Sequence, residues 1–316
     1  MALALWLALD ALAAAEWRAD VIDAPGRVTA VEIVDADVRI AIGRSWYRIS
    51  TETARLESTP PPHRPELPIG ALPDGRVAIG IDKVARSWLA DPTNRYRHGV
   101  LGDAIEAGTL VIERRDGSRG ILRLGNDAVF EDLEPRVSNI GGIERIVVIK
   151  SYLDRGSALA IIDPDTATVT AETPPIGQSN AWLNPAGIAD FDGDGATDIA
   201  LVRQPHVIGR LELWSWLDRK LKKTAEVEDV SNHVIGSRAL GMSSIGDFDG
   251  DGRPDLAVPS LDRRTLRLIA FTPQPHDIAR VSLPARVASN VATITMRGRL
   301  AVVFGLDNGQ LIMVHD

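Results

Sequence analysis

The chain contains no cysteine. Disulfides, thiolate nucleophiles, zinc–thiolate centres and iron–sulfur clusters are therefore excluded together. Basic residues are in deficit. There are 35 Lys and Arg against 43 Asp and Glu, a formal net charge of −8, which argues against nucleic acid or an anionic membrane as a partner. Past residue 15 no apolar run approaches the roughly 18 residues of a membrane-crossing helix, so no span is expected in the mature chain. Helical periodicity is almost missing over the same stretch. Catalytic signatures are scarce as well. The histidines are His63, His98, His206, His233, His276 and His315, and no two are spaced as metal ligands on one element. No H-E-x-x-H, G-x-S-x-G, phosphate-cradling or dinucleotide loop occurs, so no catalytic residue is assigned.

What the chain does have is an acidic loop written twice. It reads Asp190-Phe-Asp192-Gly-Asp194-Gly195-Ala196-Thr-Asp198, then Asp247-Phe-Asp249-Gly-Asp251-Gly252-Arg253-Pro-Asp255. Four carboxylates in one tight loop repel one another strongly. A bound cation removes that cost, and an all-oxygen ligand set selects a hard ion, Ca2+. Gly195 and Gly252 supply the sharp bend. The backbone carbonyls of Ala196 and Arg253 are expected to complete each shell, since side-chain identity is free there. Two Ca2+ sites are expected, with Asp190, Asp192, Asp194, Ala196 and Asp198 in one and Asp247, Asp249, Asp251, Arg253 and Asp255 in the other. An EF-hand does not fit, because its twelfth position needs Glu and here holds Leu201 or Val258. Each loop instead runs into a short apolar stretch of strand character.

The copies begin at 190 and 247, a spacing in the range of one four-stranded propeller blade. D-F-D-G-D-G-x-x-D followed by a buried strand resembles the FG-GAP/VCBS repeat, the calcium-loop repeat of integrin alpha-chain propellers and of many bacterial secreted proteins. The resemblance implies an all-β fold, a β-propeller of four-stranded blades with Ca2+ in hairpin loops, and recognition of a protein partner. Its clearest repeats are 180–228 and 236–285.

Weaker repeats extend the pattern. Ile146–Lys150, Ile199–Arg203, Leu256–Ser260 and Leu300–Phe304 read as one strand in successive units, with Ile40–Gly43 and Val77–Gly80 as earlier copies. Each of the first four is followed by a turn and a second apolar strand. Six units are visible. The stretch between 80 and 146 has room for another in Gly99–Asp103 and Gly108–Glu113, so seven blades are favoured and six remain open. The last unit, from Ala288, holds only three strands. Residues 17–23 or 27–34 are expected to complete it, leaving no open edge.

Met1–Ala15 is apolar and ends in three alanines, a pattern of an export signal cleaved before Glu16. Residues 16–316 then form a single propeller domain, periplasmic or secreted from a bacterium, and a monomer. A binding or interaction module for an unidentified protein or glycan is the expected function. A polysaccharide hydrolase or lyase with its site at the channel mouth, and a structural module of an envelope assembly, remain alternatives. The polar cluster to inspect for a ligand is Arg95, Arg97, His98, Asp103 and Glu106. Trp214 and Trp216 share a strand face, with packing expected ahead of sugar stacking.

Overall fold

The computed structural model describes residues 16–34 and 37–316; the expected export signal, 1–15, lies outside the described residues. The described residues contain strands and turns and no α-helix. Counting β1 (Arg18–Ile22) with the last of them and leaving out one short extra strand, they fall into six sets of four. The first is β2 (Val28–Val34), β3 (Asp37–Ile42), β4 (Ser45–Ile49) and β5 (Leu56–Thr59). The second is β6 (Ala78–Ile79), β7 (Val84–Thr93), β8 (Glu106–Arg114) and β9 (Arg119–Arg123). A short β10 (Ala128–Phe130) precedes the third: β11 (Arg136–Ile140), β12 (Ile143–Tyr152), β13 (Gly156–Asp163) and β14 (Thr168–Glu172). The fourth is β15 (Leu183–Ala189), β16 (Asp198–Arg203), β17 (Arg210–Leu217) and β18 (Lys220–Val227). The fifth is β19 (Ser244–Gly246), β20 (Asp255–Pro259), β21 (Thr265–Ala270) and β22 (His276–Ser282). The last three strands are β23 (Val287–Met296), β24 (Arg299–Leu306) and β25 (Leu311–His315).

Each set is an antiparallel meander. The set that begins with β23 is completed by β1, which pairs with β25 from Arg18 opposite His315 to Ile22 opposite Leu311. The first of the two expected completing segments is therefore the one used, while 27–34 supplies β2. The second and third sets are fused into one nine-stranded sheet by β10, which pairs with both β8 and β12.

The middle strands explain why the sequence reads as short apolar runs. In β12, β13, β16 and β20 successive residues such as Ile146, Val147, Val148 and Ile149 are all fully buried. Both faces of these strands are covered by neighbouring sheets, so the alternation of a half-exposed strand disappears. The fourth strands are different. β18, with Lys220, Lys222 and Lys223, holds only exposed and half-buried residues, and its lysines discourage pairing with a second chain.

Two sequence expectations shift register. Val77–Gly80 is the first strand of its set, not the second; that place is taken by β7. Gly108–Glu113 lies in β8, and Gly99–Asp103 in the turn before it. The stretch 80–146 thus supplies the remainder of the second set, the bridging β10 and β11. The proline-rich connection that begins Pro60-Pro-Pro-His-Arg-Pro65 runs between β5 and β6.

A meander places alternate turns at opposite ends. One end carries the turns after the first and third strands, including both acidic loops. The other carries the turns after the second strand and the links between sets. First strands from several sets, among them β2, β11, β15 and β23, border one shared cavity of about 370 Å³.

Candidate functional site

Each acidic loop is pinned by its phenylalanine. Phe191 is buried and packs on Phe271 at 5.1 Å between ring centroids; Phe248 is buried and meets Trp17 edge-on at 5.6 Å. With the ring turned inward, the flanking aspartates face the loop centre. Gly195 and Gly252 both adopt φ near +85° (85° and 86°), a backbone state that penalises any side chain.

In the first loop Asp190, Asp192 and Asp194 each offer an oxygen within 4.8 Å of the others; in the second Asp247, Asp249 and Asp255 do so. Asp198 is fully buried at the start of β16. It accepts the Phe191 N–H at 3.0 Å and the Ser215 hydroxyl. Asp255 accepts the Phe248 N–H at 2.7 Å. Asp251 accepts the Arg253 N–H at 2.8 Å and pairs with the same residue's guanidinium at 3.2 Å. Ala196 likewise donates its N–H to Asp194 at 2.7 Å.

The electrostatics bear on what the loops could hold. Burial, with Asp192 nearby, pushes Asp198 up to about 6. Burial and the three other loop aspartates push Asp255 up to about 7. Asp192 is raised by the same causes. Asp190 Oδ2 accepts the Gly195 N–H at 3.0 Å, but its Oδ1 is buried and has no hydrogen-bond partner among the described residues. A buried carboxylate oxygen without a donor is costly. The donor set is all oxygen, negative and incompletely satisfied, which fits a hard divalent cation.

The two loops touch. A Cβ on Gly193 of the first would lie 2.5 Å from Nε of Arg253 in the second, so that side chain lies directly over the Gly193 backbone. Thr272 donates its hydroxyl to the Asp192 carbonyl at 3.3 Å.

The polar cluster of the β7–β8 turn is dispersed by the fold. Arg95 turns inward and donates to the Ala128 carbonyl at 2.7 and 3.1 Å. Arg97 is exposed. Asp103 caps the Ile105 N–H at 2.8 Å and meets Arg238 at 3.2 Å. Glu106 is buried in β8. Burial first, then the charges of Glu131 and Asp103, raise it to about 10, so it is neutral at physiological pH. Of the five, His98 lines a cavity, a different one from that shared by the first strands. It holds about 270 Å³ at the end opposite the acidic loops, bordered also by Asn180, Trp182, Gln204, His206 and Val207.

Sequence reasoning missed what stands behind His98. Its Nδ1 lies 2.6 Å from Oε1 of Glu131, a fully buried carboxylate delivered by the end of β10. Oε2 of Glu131 accepts the hydroxyls of Ser151 and, at 3.3 Å, Ser157. The indole of Trp182 donates to the Glu131 carbonyl at 3.1 Å. No local spacing marks these partners; only the unpredicted β10 brings them together. Trp214 and Trp216 settle as packing residues: Trp216 is buried under Arg145, with a cation–π distance of 4.8 Å, and Trp214 is half-buried against the core.

A family model described as an FG-GAP-like repeat matches residues 190–258, the span of both acidic loops; the chain carries an FG-GAP-like repeat there. A search of curated proteins finds no match. Solved structures give distant likenesses over most of this chain. BBS1N, from its complex with ARL6DN, is 14% identical with a TM-score of 0.41, covering 93% of this chain and 79% of that one. The exotype rhamnogalacturonan lyase YesX is 16% identical with a TM-score of 0.44, covering 89% of this chain and 56% of the lyase. The rhamnogalacturonan lyase PL11 of Bacillus licheniformis is 15% identical with a TM-score of 0.44, covering 85% and 54%. The chain therefore spans little more than half the length of either lyase.

Proposed function

We propose that this chain is an exported six-bladed β-propeller that holds two Ca2+ ions and acts, as a monomer, as a binding module for a protein or glycan. The observation that carries the reading is the paired acidic loop: three convergent carboxylates in each, and in the first a buried oxygen with no donor. Asp190, Asp192 and Asp194 would hold one ion, and Asp247, Asp249 and Asp255 the other, with the Ala196 and Arg253 carbonyls as the loop's remaining ligands. The ion's contribution is to neutralise clustered charge that the fold otherwise leaves opposed. This protein's own residues do the rest: Phe191 and Phe248 anchor the loops, and the glycines make the bends. Six four-stranded sets with first strands around one cavity support six blades, the smaller of the two expected counts.

A binding role is favoured over catalysis because the charged residues lining the cavity shared by the first strands are all paired, Arg76 with Glu134 at 3.6 Å and Arg136 with Asp132 at 2.7 Å. The reading is tested by calorimetric titration of Ca2+ into EDTA-stripped protein. Two equivalents of binding are expected, falling to one in Asp249→Asn. Absence of heat in the intact chain, together with no Ca2+ retained in equilibrium dialysis, would overturn it.

A further inference from the structure

We infer that the cavity bordered by His98, Gln204 and His206 is a binding site for one neutral sugar residue, a terminal or single ring of a glycan. The inference rests on reading the chain as a binding module, and it does not depend on the metal loops, which sit at the other end of the sheets.

Hydrogen bonding fixes the state of both imidazoles. His233 Nε2 is 3.0 Å from the Ser237 carbonyl, which only accepts, so that nitrogen carries the proton. His233 Nδ1, 2.9 Å from His206 Nε2, is then the acceptor of the pair when the ring is neutral, and His206 Nε2 the donor. Burial keeps both rings neutral, lowering His206 to about 4 and His233 to about 3. His206 Nδ1 is left as a bare lone pair. His98 donates Nδ1–H to buried Glu131, which orients the ring and leaves Nε2 without a partner among the described residues. The side-chain amides of Gln204 and Asn180 also make no hydrogen bond among the described residues, although both border the cavity.

The site thus presents one oriented acceptor, His206 Nδ1, the open Nε2 edge of His98, and two amides, each able to donate and accept. No unpaired charge lines it, which argues against phosphate or carboxylate ligands. Its remaining surface is apolar. Val100 and Trp182 are buried in its wall, while Val207 and Ile235 stand at 74% and 66% exposure on its rim. Hydroxyls on the edge of a ring and carbon–hydrogen bonds on its face match that division. At about 270 Å³ the cavity falls below the ~300 Å³ at which pockets for drug-sized ligands begin, which limits it to a single ring. The wall is stiff where it matters: His206 lies parallel to Trp182 at 6.2 Å, and Trp182 is tied to the backbone of Glu131.

The test is saturation-transfer NMR on the full chain with methyl galactoside, methyl glucoside and methyl rhamnoside. Each is used at about 10 mM, above the millimolar Kd typical of so few atoms. Transfer to at least one glycoside is expected, together with shifts of the His98 and His206 ring protons. Affinity should drop about tenfold in His98→Ala or Gln204→Ala, each removing one hydrogen bond. Should His98→Ala not fold, Val207→Trp fills the rim from an exposed position and should abolish transfer. No transfer from any of the three, or transfer that survives both Gln204→Ala and Val207→Trp, would overturn the inference. Running each arm in Ca2+ and in EDTA separates the two readings, since failure of the metal loops registers in the calorimetry and not in the pocket.

Discussion

Calcium removal should lower the melting temperature by an amount that counts the sites. A ligand that binds only the folded state stabilises it by RT ln(1 + [L]/Kd), so each decade of free Ca2+ above Kd adds about 1.4 kcal/mol per site. Two loops give roughly 2.7 kcal/mol per decade. Unfolding entropy near 60 °C is ~2.1 cal/mol/K per residue, or about 0.6 kcal/mol/K for a folded body of about 300 residues. The expected slope is therefore about 4–5 °C per decade of Ca2+. Asp192→Ala or Asp249→Ala should halve it, and the double substitution should flatten it. The assay is circular dichroism melting across buffered Ca2+ from micromolar to tens of millimolar. A flat response in the intact chain would refute the argument. An undiminished slope in the double variant would place the ions elsewhere. Mg2+ should shift the midpoint less, because it resists shedding water for a protein cage.

Three further outcomes follow from the packing. Glu106 is protonated when folded and ionised when unfolded between the ordinary carboxylate range and about 10, so its contribution is fully present at acid pH and is lost as pH rises through that window. Glu106→Gln should accordingly gain on the order of 1–3 kcal/mol over the parent at pH 8 and little at pH 4, read by urea unfolding at both. Gly156 has φ +75°, and a Cβ there would sit 2.3 Å from the Gln178 carbonyl and 2.7 Å from that of Ala181. Gly156→Ala should cost about 2–4 kcal/mol and disturb the Asn180 wall of the pocket, visible as lost glycoside transfer. Deleting residues through Ile22 uncovers the edge of β25, and size-exclusion chromatography should show self-association; a monomer with unchanged melting would contradict the pairing.

The sequence carried the repeat and most strand positions because strands buried on both faces leave continuous β-branched runs, as in Ile146–Ile149 and Ile199–Val202. The acidic loops were legible for a similar reason: every ligand type lies within nine consecutive positions. Where the reading slipped, the determinants were not local. Val77–Gly80 has the composition of a second strand but is cut to two residues of pairing. The bridging β10 depends on what β8 and β12 leave open. His98 was picked from its neighbours Arg95 and Glu106, yet what orients it is Glu131, one residue beyond a strand no periodicity revealed. His206 and His233 gave no ligand spacing, since their contact is made between the β16–β17 turn and the link from the fourth set to the fifth.

The pairing of β1 with β25 also settles how the molecule could be moored. Arg18 and His315 face each other across the ladder, and Trp17 rests against Phe248 of the second acidic loop. Polypeptide joined ahead of Glu16 and polypeptide joined after Asp316 would leave from neighbouring points on the acidic-loop side. An anchor joined by a short, stiff link at either end would lie nearer the acidic-loop side than the His98 cavity, which opens at the other end of the sheets.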